Sequence, residues 1–196
     1  MAKRFEHGLM VRPFLGERVA GDAGLVLEEN DGLFLAIIDV LGHGPEAHEV
    51  ARHIIGRLER EDRSELCELL SRLHESVIGT RGAAIAVARL NFENGLLQYA
   101  GIGNTVCRKI GREPVRLVSR DGTLGHIMRT PRLESLQMSA GDILLLYTDG
   151  VQDHFDLEEY SDLETDSAWS LARTIIRQFG KPHDDATCIA VRMHHD

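Results

Sequence analysis

Cysteine is scarce: the 196-residue sequence has three, Cys67, Cys107 and Cys188, far apart and with no CxxC spacing. So odd and scattered a set excludes a disulfide framework and a structural zinc site, and the thiols read as small buried hydrophobes. Ten histidines include no HExxH pair, and His194 and His195 belong to the chain end. No apolar run approaches the roughly 20 residues needed to span a bilayer. Lys3 and Arg4 are followed by no apolar core of about 7 to 15 residues, so no secretory signal is expected and a cytoplasmic location without membrane partners is expected. Clustered cations are also missing. Lys and Arg number 22 against 31 Asp and Glu, a formal charge of -9, and the basic residues are scattered. A nucleic-acid partner, which needs grouped cations to displace counterions, is therefore not expected. With no repeat, low-complexity tract or Pro/Ser-rich linker, the chain reads as one domain over residues 1–196, monomeric rather than oligomeric.

What is present is a sequence of changing periods. Strands are expected at 9–14 and 24–27, then a turn at Asn30-Asp31-Gly32, then the unbroken apolar run 33–38, which fits a strand buried on both faces. Ala47, Val50, Ala51, Ile54, Ile55 and Leu58 then fall at helical spacing behind Pro45, predicting a helix over 45–60. Leu66, Leu69, Leu70, Leu73 and Val77 repeat that spacing, with Ser64 as candidate N-cap. Strands follow at 83–90, 96–100, 105–110 and 115–118 as a meander, with a hairpin turn at Asn94-Gly95. Further strands are expected at 133–138, 143–147 and 186–193. Ala168, Leu171, Ala172, Ile175, Ile176 and Phe179 form the stripe of a third helix ended by Gly180. Strands outnumber helices and helices come in groups, which favours an α+β sandwich of antiparallel sheet with helices outside.

Four aspartates stand at ends of these strands: Asp22, Asp39, Asp149 and Asp184. If 24–27 and 33–38 form a hairpin, Asp22 and Asp39 face each other within about two residues of register. Antiparallel pairing of 143–147 with 186–193 brings Asp149 and Asp184 to one end in the same way, and that this is the same end is an expectation. Two carboxylates about 4 Å apart repel by about 4 kcal/mol at an effective dielectric near 20, so a cluster needs a cation or protons. Oxygen-only donors favour Mg²⁺ or Mn²⁺, and a pair of such ions activates water and stabilises a transferring phosphoryl group. Position alone leaves the alternative of ordinary turn aspartates open.

The residues around the aspartates narrow the choice. Gly21-Asp22, Asp39-Val40-Leu41-Gly42-His43-Gly44, Gly101-Ile102-Gly103-Asn104, Thr148-Asp149-Gly150 and Asp184-Asp185-Ala186-Thr187 occur in that order. Together they resemble the motifs of the metal-dependent PPM (PP2C-type) serine/threonine phosphatases, and the DVxGHG form is similar to the SpoIIE/RsbU/RsbX branch. The resemblance covers nearly the whole chain and implies a PP2C-like α-β-β-α sandwich of two antiparallel sheets holding two Mn²⁺ or Mg²⁺ ions at one edge. It implies that Asp39 bridges both ions, that the Val40 carbonyl binds one, that Asp149 and Asp184 ligate the other, and that Asp22 contributes directly or through water. Asp39 and Asp149 then carry catalysis through metal-activated water, without a phosphoenzyme. The short form without a sensor domain resembles the stand-alone stressosome phosphatases, implying phosphorylated stressosome scaffold proteins as partners.

Departures from the pattern matter too. Arg18 is one residue out of register with the Arg that many relatives use to hold phosphate, so no substrate-binding residue is assigned. Gly79 stands where larger relatives carry an Asp for a third ion, so a third metal site is not expected, although Asp153 is available. His43 is either a general acid or an organiser of its loop, flanked by Gly42 and Gly44. Gly101 to Asn104 lacks a P-loop lysine and reads as a turn, residues 153–166 as a solvated acidic loop, Trp169 as core, and His7, His48, His53 and His74 as surface or helix-face residues. Two other readings compete: a catalytically silent phosphoprotein-binding module of the same fold, which has no need of four clustered carboxylates, and a metal-dependent nuclease or small-phosphoester hydrolase, which the charge disfavours.

Overall fold

The structure is a computed structural model and describes residues 5–153, 155 and 167–194. In chain order the elements are β1 (Phe5–Arg12), β2 (Asp22–Glu29), β3 (Gly32–Val40), α1 (Gly44–Leu58), α2 (Leu66–Ser76), β4 (Ala83–Asn91), β5 (Leu96–Ile102), β6 (Val106–Ile110), β7 (Val115–Val118), β8 (Glu134–Gln137), β9 (Ile143–Tyr147), α3 (Ala168–Phe179) and β10 (Ala186–Met193). They form two five-stranded sheets, ordered β1-β10-β9-β6-β7 and β2-β3-β4-β5-β8, in which every named strand pair is antiparallel.

The two faces of β3 explain its unbroken apolar run. Leu33, Leu35 and Ile37 point into the core between the sheets, beside Ala86, Tyr99, Leu144 and Ile189. Phe34, Ala36, Ile38 and Val40 point the other way, onto α1 and α2 through Ala47, Ile54, Leu69 and Leu73. Side chains alternate along a strand, so a strand sandwiched between a sheet and a helical layer must be apolar at every position. On the outer face of the first sheet, Leu145, Tyr147, Cys188 and Ala190 meet Leu171, Ala172, Ile175 and Ile176 of α3. Helix α3 settles close because Gly8 of β1 has no side chain; a Cβ there would stand 2.3 Å from the Trp169 Cα. The layers are thus α-β-β-α, as the resemblance implies.

Several local expectations change. The meander is split: β5 lies between β4 and β8 in one sheet and β6 between β9 and β7 in the other, with the crossover at Gly103 (φ +97), where a Cβ would stand 2.4 Å from the Ala84 Cβ. Ser64 is not the N-cap of α2. That position is Glu65, without a side-chain cap, because the Ser64 hydroxyl instead donates to Asp62 at 2.8 Å. Trp169 is half exposed, with the Arg173 guanidinium 5.5 Å from its ring, so it lies outside the core stripe it adjoins. Cys107 and Cys188 are buried as expected, whereas Cys67 is half-buried at the helix-side core. Most of the 153–166 stretch lies outside the described residues.

Candidate active site

The hairpin of β2 and β3 places Asp22 directly opposite Asp39. In the other sheet β9 pairs with β10, Tyr147 opposite Cys188, so Thr148-Asp149 and Asp184-Asp185 leave the sheet at one end. A hydrogen bond ties the two ends together: the Thr148 hydroxyl donates to Asp22 Oδ2 at 2.6 Å and itself accepts the Thr187 N–H at 3.0 Å. Asp22, Asp39, Asp149 and Asp184 therefore line one open cleft of about 500 Å³. Val40 lines it too, with its side chain in the helix-side core. That side chain is 2% exposed, so although only the carbonyl is implicated in binding, the side chain is fixed by core packing.

Electrostatics follow from this crowding. Burial is the main cause that pushes Asp39 from 3.8 up to about 8, and the neighbouring Asp22, Asp149 and Asp184 carboxylates push further. Burial likewise lifts Asp22 to about 7, opposed by the Thr148 hydrogen bond and reinforced by Asp185 and Asp184. Asp184 is raised by burial and by Asp149. Carboxylates in this state are protonated or cation-compensated at neutral pH. Among the described residues no group of three His, Cys, Asp or Glu side chains already stands at metal-holding spacing. The donor set nevertheless fits Mg²⁺ or Mn²⁺ in chemistry and charge: carboxylate oxygens, no nitrogen or sulfur, and an excess of negative charge that divalent ions offset.

Three residues with no role assigned from sequence hold the aspartates in place. Asn104 donates through Nδ2 to Asp149 Oδ2 at 2.7 Å, and Lys181 Nζ donates to the Asp149 carbonyl. Thr148 fixes Asp22 as described. Asn104 and Thr148 lie inside the quoted motifs, so their polarity beside glycine was the signal available. Asp185, adjacent to the candidate ligand Asp184, turns away and accepts the Phe14 N–H at 2.6 Å and the Gly21 N–H at 2.7 Å. This clasp positions the segment leading into β2. Gly150 must be glycine, since a Cβ there would stand 1.7 Å from the Asp185 carbonyl oxygen. Asp121, Gly122 and Thr123, outside the quoted motifs, form a further wall of the cleft.

Other candidates fall outside the cleft. His43, the residue before α1, stacks on Phe14 at 4.4 Å and places Nδ1 3.1 Å from Glu17 Oε1. It does not line the cleft, which favours the loop-organising role. Arg18 is exposed and absent from the lining. Asp153 is engaged, both carboxylate oxygens accepting from Arg116 at 2.8 Å and one from the Tyr147 hydroxyl at 3.0 Å.

The family described as Stage II sporulation protein E (SpoIIE) matches residues 29–194. The chain belongs to the SpoIIE family. A chain from the solved structures of the bacterial stressosome, "a modular system that has been adapted to control secondary messenger signaling", is 30% identical, with TM-score 0.89 over 96% of this chain and 99% of that one. The crystal structure of RsbX in complex with magnesium superposes with TM-score 0.84 at 18% identity, over 98% of this chain and 97% of that one, a likeness of fold. Phosphoserine phosphatase RsbX of Bacillus subtilis (strain 168) is 22% identical over 138 residues, 69% of each chain. No helix among the described residues is long and apolar enough to cross a membrane.

Proposed function

We propose that this SpoIIE-family chain is a metal-dependent protein serine/threonine phosphatase, a single phosphatase domain over residues 1–196 that hydrolyses phosphoserine or phosphothreonine on stressosome proteins. The observation carrying the activity is the convergence of Asp22, Asp39, Asp149 and Asp184, from two sheets, on one solvent-open cleft. The stressosome assignment is supported by the similarity to the stressosome chain and to RsbX.

Asp39, Asp149 and Asp184, with Asp22 and the Val40 carbonyl, are the residues that would hold Mg²⁺ or Mn²⁺. Bound there, such ions supply Lewis acidity, lowering the pKa of water and neutralising phosphoryl charge. The chain's own residues supply placement. Thr148 anchors Asp22 across the gap between sheets, Asn104 orients Asp149, and the backbone clasp at Asp185 keeps Asp184 at the cleft edge. The cleft's openness admits a phosphorylated side chain presented on a protein surface. Absence of a nucleophilic Ser or Cys among the described lining residues fits direct attack by water.

The test is phosphate release from a phosphoserine and phosphothreonine peptide panel, with Mn²⁺, Mg²⁺ or EDTA, for wild type, Asp39→Ala and Asp149→Ala. Release that requires metal and both carboxylates is the expected result. No release by wild type shown calorimetrically to bind metal would overturn the phosphatase reading.

A further inference from the structure

The described residues lining the cleft include five aspartates and no Lys or Arg, so nothing in the lining itself offers a cation to a dianionic phosphoryl group. Arg81 stands at the rim. It lies in the connection between α2 and β4, and its main chain is held from both sides of the cleft. The Gly82 carbonyl accepts the Leu41 N–H at 3.1 Å, Ala83 exchanges hydrogen bonds with Leu124, and the Arg81 carbonyl lies 3.0 Å from His126 Nε2. The guanidinium packs over Gly42, a cleft residue: one of its terminal nitrogens is 2.8 Å from the position a Gly42 Cβ would take. Glycine at 42, with φ +87, therefore leaves the room that the guanidinium occupies.

The partner of Arg81 is weakly held. Its ion pair is with Glu46 in the first turn of α1, whose side chain is 78% exposed while that of Arg81 is 43% exposed. A solvated pair of this kind contributes about 0–1 kcal/mol, so the guanidinium exchanges Glu46 for a better anion at little cost. Arginine's planar fork suits the two-point grip that a phosphoryl group offers. The other cations near the cleft are placed differently. Lys181 donates to the Asp149 carbonyl, and Arg129 sits 3.8 Å from the exposed Asp121 carboxylate, with its own side chain 65% exposed and absent from the lining.

We propose that Arg81 is a substrate-binding residue that leaves Glu46 to hold the phosphoryl group of the incoming phosphoserine or phosphothreonine, with Glu46 as its competing anion. This rests on the phosphatase reading and assigns the phosphate grip that Arg18 does not provide. A fastening role for the Arg81–Glu46 pair predicts that loss of either residue acts in the same direction. A binding role predicts opposite directions, because removing Glu46's charge frees the guanidinium.

The experiment measures equilibrium affinity for a peptide carrying the non-hydrolysable phosphonate analogue of phosphoserine, in Mg²⁺, alongside KM and kcat on the phosphoserine peptide. Arg81→Ala is expected to weaken affinity and raise KM about tenfold or more, as loss of one charge-assisted contact, with kcat changed less and melting temperature unmoved. Arg81→Lys recovers part of the loss, and Glu46→Gln tightens binding up to about twofold. Unchanged affinity in Arg81→Ala, weakening by Glu46→Gln, or failure of wild type to bind the phosphonate overturns the assignment. Wild type that binds the phosphonate in an Arg81-dependent way yet releases no phosphate would sink the phosphatase reading and leave the Arg81 assignment standing. Wild type that hydrolyses with Arg81→Ala indistinguishable sinks only the latter.

Discussion

Replacing Asp39 with asparagine should stabilise the metal-free protein while abolishing its metal affinity. Asp39 and Asp22 face each other at one register position, lifted to about 8 and about 7 from an ordinary 3.8. Both folded-state values lie above the unfolded one, so the metal-free folded protein holds protons that the unfolded chain has released. The stability contributed by these groups is complete below about pH 4 and is lost as pH rises through 7 and 8. For Asp39 alone, 1.36 kcal/mol per pH unit gives roughly 6 kcal/mol. Burial is the larger cause, asparagine remains a buried polar group there, and the repulsive part is shared with the neighbouring carboxylates, so about half of that, roughly 2–4 kcal/mol, is the gain expected for Asp39→Asn at pH 8.5. For a chain of this size that is a rise of about 5–12 °C in melting temperature. Thermal unfolding in EDTA at pH 5, 7 and 8.5 is the assay, paired with calorimetric titration of Mg²⁺ and Mn²⁺. The difference should shrink to about a quarter at pH 5, where folded wild-type Asp39 is neutral but the unfolded carboxyl is already ionised, and vanish below about pH 4. Metal at about 1,000 times its Kd should reverse the order, since it stabilises wild type by about 4.1 kcal/mol and the variant much less. A variant that melts at or below wild type in EDTA at pH 8.5, or a gain independent of pH, would refute the reasoning.

Asp185→Ala removes the acceptor of two main-chain N–H groups, of which Gly21's bond is buried, and should lower stability by about 2–4 kcal/mol, read by urea unfolding. Loss of activity in that variant should be relieved at lower temperature, where the clasped segment stays in place; a stability unchanged from wild type would remove Asp185 from this role. His43→Ala should keep kcat within about threefold, because the imidazole is outside the cleft and pairs with Glu17. A fall in kcat of a hundredfold or more, the scale of a lost general acid, would restore His43 to the chemistry.

Much of this architecture was readable along the chain. The run at β3 announced a strand with no polar face, and the spacings of α1, α2 and α3 announced helices with one apolar stripe, because period is a local property of sequence. A short turn leaves little freedom of register, so the sequence of the hairpin brings Asp22 within about two residues of Asp39, and the fold sets them directly opposite. Local signals misled where a competing contact was available. Ser64 had the chemistry of an N-cap and spent its hydroxyl on Asp62, and Trp169 adjoined a buried stripe but lies on its exposed side. The split of the meander between sheets at Gly103 depends on the approach of Ala84, from a strand nearly twenty residues earlier, and no local pattern carries that.

The site divides along the same line. Residue types and order, five short motifs with aspartates at strand ends, determined the family, the oxygen-only donor chemistry and each pair within its own sheet. Bringing the pairs together required the two sheets to stack with their ends in line, a result of side-chain packing between strands remote in sequence. Only then does Thr148 reach Asp22 across the gap, do Asp22 and Asp39 acquire their raised proton affinities, and do the adjacent Asp184 and Asp185 part into a cleft residue and a backbone clasp. Those assignments turn on desolvation and on distances of a few ångströms, which a linear chain does not specify until its core has closed.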